Sequence, residues 1–330
     1  NSYYEYRYIK TKYPKEGLLE RFPEGLAKFL DIAQYKRSYL TDLGYQLMAR
    51  ENLDQPIDIT SSKFTALNYD IVVYGKTMLI MDYLEAYLGT EVFDKAMKKY
   101  FETWKYKHTQ PEDFRRVMEQ ETGKDLSWFF DDLLNTTKKL DYKIAKVSKD
   151  KCPTSFTGDC LKVKLKNKGN IKGPVLLSEM KGDSVLATHV IEGFKTDTSF
   201  NLYCIATDKI KIDPLLQMPE INRKNNTYWL KKVAHKTGKL RLQFIGSLED
   251  QDRTQVCFAP YLGWNNYDKT QVGLAFYNTP VPGQKFNYML VPAFGTGSKQ
   301  FIGIAKLNYN FYPEQVQRFT VGLNARRFSY

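Results

Sequence analysis

The sequence predicts a multidomain chain, α-helical first and all-β afterwards. Two observations carry that reading. Apolar residues recur at helical spacing through residues 1–140, then at two-residue spacing from 141 onward, in short runs at first and longer runs after 240. The 330 residues are also 42% hydrophobic and 26% charged, which supplies material for sizeable cores and excludes a wholly disordered chain.

The charge is spread unevenly. Residues 1–140 hold 21 Lys and Arg against 22 Asp and Glu, residues 141–240 hold 19 against 10, and residues 241–330 hold 9 against 5. The net +12 is not matched by any nucleic-acid-binding motif, so a nucleic-acid partner is excluded. Part of the excess sits in Lys162, Lys164, Lys166 and Lys168, which alternate with Leu161, Val163 and Leu165. That pattern is a strand with one solvated basic face. Four cysteines exclude a disulfide-stapled miniprotein, and no apolar run is long enough for a transmembrane helix. The chain opens on Asn1 without a signal-peptide pattern and reads as a piece of something longer.

Residues 1–140 read as helical. Ile71, Met78, Met81 and Leu84 give the stretch from Ala66 to Leu88 its helical period, and Gly89 stops it. Thr90 and Glu91 open the next helix, which runs to Lys105. Pro111, Glu112 and Asp113 sit in the first turn of a third, which ends near Gly123. Asp125 caps a last helix holding Trp128, Phe129, Phe130, Leu133 and Leu134.

Residues 141–212 change to short strands at Asp141–Val147, Leu161–Asn167, Pro174–Met180, Val185–Ile191 and Asn201–Ile212, which suggests a small β-sandwich. Cys152 and Cys160 bracket a loop there, either as a disulfide or as two unpaired cysteines. Residues 213–239 read as a linker. Residues 240–330 form an antiparallel meander of about six longer strands, with Tyr330 ending on a running strand. Phe301 to Phe311 and Phe319 to Ala325 alternate large apolar residues with small or polar ones. Such alternation fits a partial outer-membrane-type β-barrel, and equally a soluble sheet with one dry face.

His108, His189 and His235 are isolated, with no H-E-x-x-H, and no C-x-x-C pair, phosphate loop or nucleophile elbow occurs. Local motifs therefore give no complete active site.

The helical part nevertheless resembles the aminopeptidase N-like gluzincins, a family of zinc aminopeptidases. Tyr69-Asp70-Ile71-Val72-Val73-Tyr74-Gly75-Lys76-Thr77 looks like the family's Y-x-K-G segment, with Thr77 where glycine is common. Glu91-Val92-Phe93, Tyr100-Phe101 and Gln110-Pro111-Glu112-Asp113-Phe114 follow in the family's order. Glu121 to Phe130 resembles its E-x-x-[GS]-[KR]-D-L-x-W-F-F. The resemblance implies that residues 1–140 are the helical half of a thermolysin-like catalytic domain. It implies hydrolysis of peptide bonds by zinc-activated water, with the Tyr74 hydroxyl stabilising the oxyanion.

Asn1-Ser2-Tyr3-Tyr4-Glu5 looks like the stretch just after the family's third zinc ligand. By that alignment the zinc ligands precede Asn1, no residue of this chain is a metal or cofactor ligand, and the chain alone is inactive. The β-strands from 240 resemble a barrel fused to a peptidase in some Gram-negative bacteria, which implies an outer-membrane or periplasmic location and lipid contact beside a peptide substrate. The rival class is a non-catalytic pseudopeptidase that binds or anchors at the cell surface.

Overall fold

The computed structural model describes residues 1–13, 38–152, 158–231, 238–246, 248–278, 281–313 and 316–329, with Pro23 and Gly25. His235, Tyr330, most of the Cys152–Cys160 loop and part of the turn after Asn278 lie outside the described residues. The chain divides into two compact units, Asn1–Pro14 with Asp54–Lys236, and Lys15–Leu53 with Thr237–Tyr330.

In the first unit, helix α1 (Ser2–Lys12) precedes a single α turn at Ala66–Asn68 and a π-helix at Tyr69–Lys76. Helices α3 (Thr77–Leu88), α4 (Thr90–Trp104) and α5 (Pro111–Thr122) follow. The helix expected over Ala66–Leu88 is thus continuous in sequence but widened in its middle. Gly89 ends α3 at φ +82°, and Gly123 ends α5 in the left-handed region at φ +63°, where a side chain would be strained. A second π-helix, Trp128–Leu134, takes the place of the last α-helix predicted.

Two antiparallel sheets follow. One pairs β1 (Tyr142–Lys149), β2 (Asp159–Asn167) and β5 (Asp197–Cys204). The other has the order β4-β3-β6-β7, from β3 (Val175–Lys181), β4 (Ser184–Ile191), β6 (Lys209–Ile212) and β7 (Thr227–Trp229). The single strand expected at Asn201–Ile212 is split, with Ala206 at φ +59° between its two parts. On β2, Leu161, Val163 and Leu165 are buried while Lys162, Lys164 and Lys166 face solvent, as the alternation requires. Strand β7 falls within the stretch read as linker.

Helices and sandwich share one core. Ile80, Leu84, Phe129 and Leu133 belong to the same buried cluster as Val163, Leu165, Val175 and Ile212. A buried ion pair, Arg223 Nη1 to Asp213 Oδ2 at 2.6 Å, closes the end of the sandwich, and Arg223 also donates to the Met218 carbonyl.

The second unit holds helix α2 (Ser38–Arg50) and a six-stranded sheet of order β13-β12-β11-β10-β9-β8. Its strands are β8 (Lys239–Phe244), β9 (Arg253–Asn265), β10 (Lys269–Tyr277), β11 (Phe286–Gly295), β12 (Gln300–Phe311) and β13 (Phe319–Arg327). Strands β9 to β13 form the antiparallel meander expected, but β8 pairs parallel to β9. The connection between them turns through Ile245 and Gly246, both at positive φ, and returns the chain to the end from which β8 started. Among the described residues the sheet does not close into a barrel, because β8 and β13 each pair on one side only. Arg50 at the end of α2 pairs with Glu249 at 2.7 Å, and Gln284 donates to the same carboxylate.

The shared core of the first unit generates a stability expectation. Leu133 is fully buried in it, so Leu133→Ala should cost about 2–5 kcal/mol. Urea unfolding followed by helical circular dichroism checks this, and an unchanged midpoint would mean that the second π-helix does not anchor the core.

Candidate functional site

Tyr74 lies in the first π-helix, two residues before the fully buried Lys76 and three before α3. Its ring is 43% exposed and meets Tyr69 edge to face, with centroids 5.7 Å apart. The sequence-predicted oxyanion donor is therefore accessible on a helix whose continuation is packed in the core. Its phenol is held above the ordinary tyrosine value, chiefly by the neighbouring Tyr69 phenol, with Asp70 adding to the effect. A phenol so held keeps its proton at neutral pH and remains a donor.

Val72, Lys76 and Ile80 recur every four residues and all are fully buried, so Lys76 occupies a core position of the helix. Its Nζ donates to the Thr136 carbonyl at 3.2 Å. Burial pulls its ammonium down to about 8, opposed by the charge of Asp54 and aided by that of Lys139. Asp54 is itself ion-paired with Lys139. This cluster ties the Tyr74 turn to the segments around residues 54 and 136. Sequence reasoning missed it, although a lysine among apolar residues at four-residue spacing is a readable signal.

The remaining candidates scatter. His108 is exposed, and His189 contacts Glu179 at 2.9 Å in the sandwich, where Thr207 also donates to Glu179. Cys152 and Cys160 form a disulfide, with Cα atoms 5.3 Å apart. Cys204 and Cys257 are buried and take part in no disulfide, and burial with the neighbouring Glu179 pushes the Cys204 thiol up to about 12. Among the described residues no three His, Cys, Asp or Glu side chains are grouped to hold a metal, so these residues do not fit a zinc ion. A cleft of about 1000 Å³ between α1 and α4 is lined by Tyr4, Tyr8, Phe101, Trp104 and several lysines, and Tyr74 is not on its wall.

Residues 24–133 match the family model described as Peptidase family M1 domain, a range that includes Tyr69–Thr77 and the Glu121–Phe130 motif. Aminopeptidase M1-B of Oryza sativa subsp. japonica is 30% identical over 89 residues, 27% of this chain and 10% of that protein. Probable aminopeptidase 2 of Sulfurisphaera tokodaii is 36% identical over 69 residues, 21% and 9% of the two chains. Aminopeptidase N of Lactococcus lactis subsp. lactis is 38% identical over 60 residues, 18% and 7%. The matches thus span a tenth or less of these relatives' lengths. A crystal structure of Legionella pneumophila aminopeptidase A in complex with aspartic acid aligns at TM-score 0.38 and 19% identity, over 48% of this chain and 18% of that one. The matched stretch is an M1 aminopeptidase-like segment.

The Lys76 cluster carries a pH signature. With the ammonium near 8 in the fold and near 10.5 when unfolded, the unfolded chain binds the extra proton between those values. Stability from this group is therefore complete above the unfolded value and is lost as pH falls through about 8. Relative to Lys76→Met, the wild type should gain roughly 3 kcal/mol as pH rises from 7 to 10.5. Lys139, pulled down by its own burial, adds in the same direction in both proteins. Parallel stability curves for the two proteins would show that Lys76 titrates normally.

Proposed function

We propose that this chain is part of a zinc-dependent aminopeptidase in which Tyr74 stabilises the oxyanion formed at the scissile carbonyl. The observation that carries the reading is the position of Tyr74, an exposed and protonated phenol on an anchored helix within the segment that resembles M1 aminopeptidases. A pre-set O–H donor strengthens its hydrogen bond as negative charge grows on the carbonyl oxygen, without reorganisation at the moment of reaction. Zinc would polarise that carbonyl and activate water, and its ligands would come from polypeptide outside this sequence. The chain on its own would then be inactive, and the substrate of the whole protein a peptide.

We also infer an outer-membrane location in a Gram-negative bacterium. The sheet of the second unit is inverted relative to a soluble one. Its apolar face is open, with Leu262 at 75%, Phe301 at 76% and Leu323 at 65% exposure, while Gln255, Gln271, Cys257 and Ala293 on the other face are buried. Leu262, Val272, Phe294 and Phe301 form one cross-strand row near one end, and Phe286, Tyr309, Phe311 and Phe319 cluster near the other. Phe301 and Phe311 lie ten residues apart on β12, which at about 3.3 Å per residue and about 40° of tilt spans roughly 25 Å. That matches the apolar band of an outer-membrane barrel wall. The Cys152–Cys160 disulfide suits an oxidising compartment.

Three experiments test these readings. In the full-length protein, Tyr74→Phe should lower turnover by about 10²–10³ and leave zinc content and KM nearly intact. Unchanged turnover would return Tyr74 to packing, and a full-length protein with no peptidase activity would favour the non-catalytic surface role. For the membrane reading, the protein should fractionate with outer membranes and need detergent for release. Leu290→Arg, in the middle of the apolar band, should cost about 2–4 kcal/mol of barrel stability. Recovery of the wild type in the soluble periplasmic fraction would overturn it.

A further inference from the structure

The open face of the six-stranded sheet is not evenly filled. Along β12 and β13 the outward residues Phe301, Leu307 and Leu323 are large, but Gly303, Ala305 and Ala325 among them are small. These small residues floor a recess of about 570 Å³, with Phe301 and Leu290 on its wall and Arg327 at the Gly303 position. Arg327 thus stands one outward position inside the row of Leu262, Val272, Phe294 and Phe301. At about 3.3 Å per residue and about 40° of tilt that is roughly 5 Å of depth. An arginine so placed can keep its stem in the apolar layer and carry its guanidinium to the interface.

This end of the sheet is also basic. Lys269 and Lys299 are exposed at its two hairpin turns, and Arg326 and Arg327 are exposed on the last strand. The acid beside them, Asp268, is fully buried and engaged by Ser298 and by Asn265 at 2.9 Å. Among the described residues the Arg326 and Arg327 side chains have neither a hydrogen bond nor an ion pair. Trp264, 66% exposed, lies one outward position beyond the row, and Tyr267 is exposed in the turn after it. Rings of these two kinds gather where a membrane meets water.

We propose that the recess seats an anionic phospholipid, with an acyl chain over Ala305 and Ala325 and the phosphate on the Arg327 guanidinium. The proposal rests on the reading of this sheet as an outer-membrane wall. Charge selects the occupant. An arginine on the lipid-facing side costs more the deeper it lies, and a phosphate within reach offsets that cost through charge-assisted hydrogen bonds. The planar guanidinium fork can take two phosphate oxygens at once. A zwitterionic headgroup would bring its own ammonium among four cations and is disfavoured. An acidic protein segment would satisfy the cations but leave its backbone groups unpaired at this depth.

The test titrates the full-length protein in detergent with phosphatidylglycerol or phosphatidylcholine of the same acyl chains, and counts bound lipid by native mass spectrometry. The wild type should hold one phosphatidylglycerol about 10-fold more tightly than phosphatidylcholine. Arg327→Gln, an exposed change that leaves the strand pairing intact, should reduce that preference without weakening phosphatidylcholine. Adding Arg326→Gln should abolish it. Ala325→Phe, which fills the floor, should weaken both lipids. Gly303 does not serve for this, because a Cβ there would meet the Val291 carbonyl oxygen at 2.4 Å. Inorganic phosphate should not displace the lipid. Equal retention of the two lipids by the wild type, or a preference that survives both arginine changes, would overturn the proposal. So would displacement by inorganic phosphate, which would mark a site for the ion alone. Release of the protein without detergent would instead overturn the membrane reading, whereas a missing preference in protein that still needs detergent removes only this lipid seat.

Discussion

The position of the candidate site depends on the burial of α3 on nearly every side. Ile80, Met81, Tyr83 and Leu84 are shielded from solvent in the shared core, and the Tyr83 hydroxyl donates to the Pro174 carbonyl at the edge of the sandwich. Gly173 comes so close to Tyr83 and Trp128 that a Cβ there would meet the phenol oxygen at 2.6 Å. A helix packed this tightly cannot slide or rotate without opening a cavity. Because the π-helix runs straight into α3, the place of Tyr74 is set by contacts made beyond it in the chain. Activity in such an arrangement would be sensitive to core substitutions far from the tyrosine.

Polar side chains add register to that packing. Helix α1 lies against α3 through Lys10 on Asp82 at 2.8 Å and through Arg7 and Tyr3 on Glu85. These contacts place residue 3 near 85 and residue 10 near 82, so the two helices run antiparallel. Asp82 is almost wholly buried, and burial raises its carboxyl against the pull of Lys10. Removing Lys10 would leave a buried carboxylate without its charge partner, which is costlier than never having had the pair. The Asp213–Arg223 pair plays the same part in the sandwich, where the backbone N–H groups of Gln217 and Met218 also donate to Asp213.

The two units solve the problem of apolar surface in opposite ways. In the first, helices and sheets cover each other and leave a dry interior. In the second, small and polar residues such as Gly273, Ala293, Gln255 and Gln271 face the covered side, where close approach is possible. Most of the large apolar residues stand outside, while Val291 and Ile302 are buried with the small ones. In water that sheet face would drive association, whereas in a bilayer it needs no cover, because every interior strand already pairs its backbone groups. The same two-residue alternation thus serves either solvent, and the face that is covered distinguishes the two.

Much of this was legible in the sequence, since periodicity and turn chemistry are local. The α-then-β order, Gly89 and Gly123 as helix ends, the basic face of β2 and the alternation of β10 to β13 all follow from neighbours a few residues apart. Tyr74 itself was recognisable only through the ordered motifs around it. What the sequence could not decide involves partners distant along the chain. The core position of Lys76 could be read from its spacing, but not the convergence of Asp54, Thr136 and Lys139 around it. The parallel pairing of β8 depends on the path of the loop after it, and the split of the strand before Ile212 on a single residue at positive φ. The π-helix is the sharpest case. Its sequence fits an α-helix equally well, and only packing that fixes Lys76 below and α3 beyond makes the wider turn the lower-energy one, setting Tyr69 beside Tyr74.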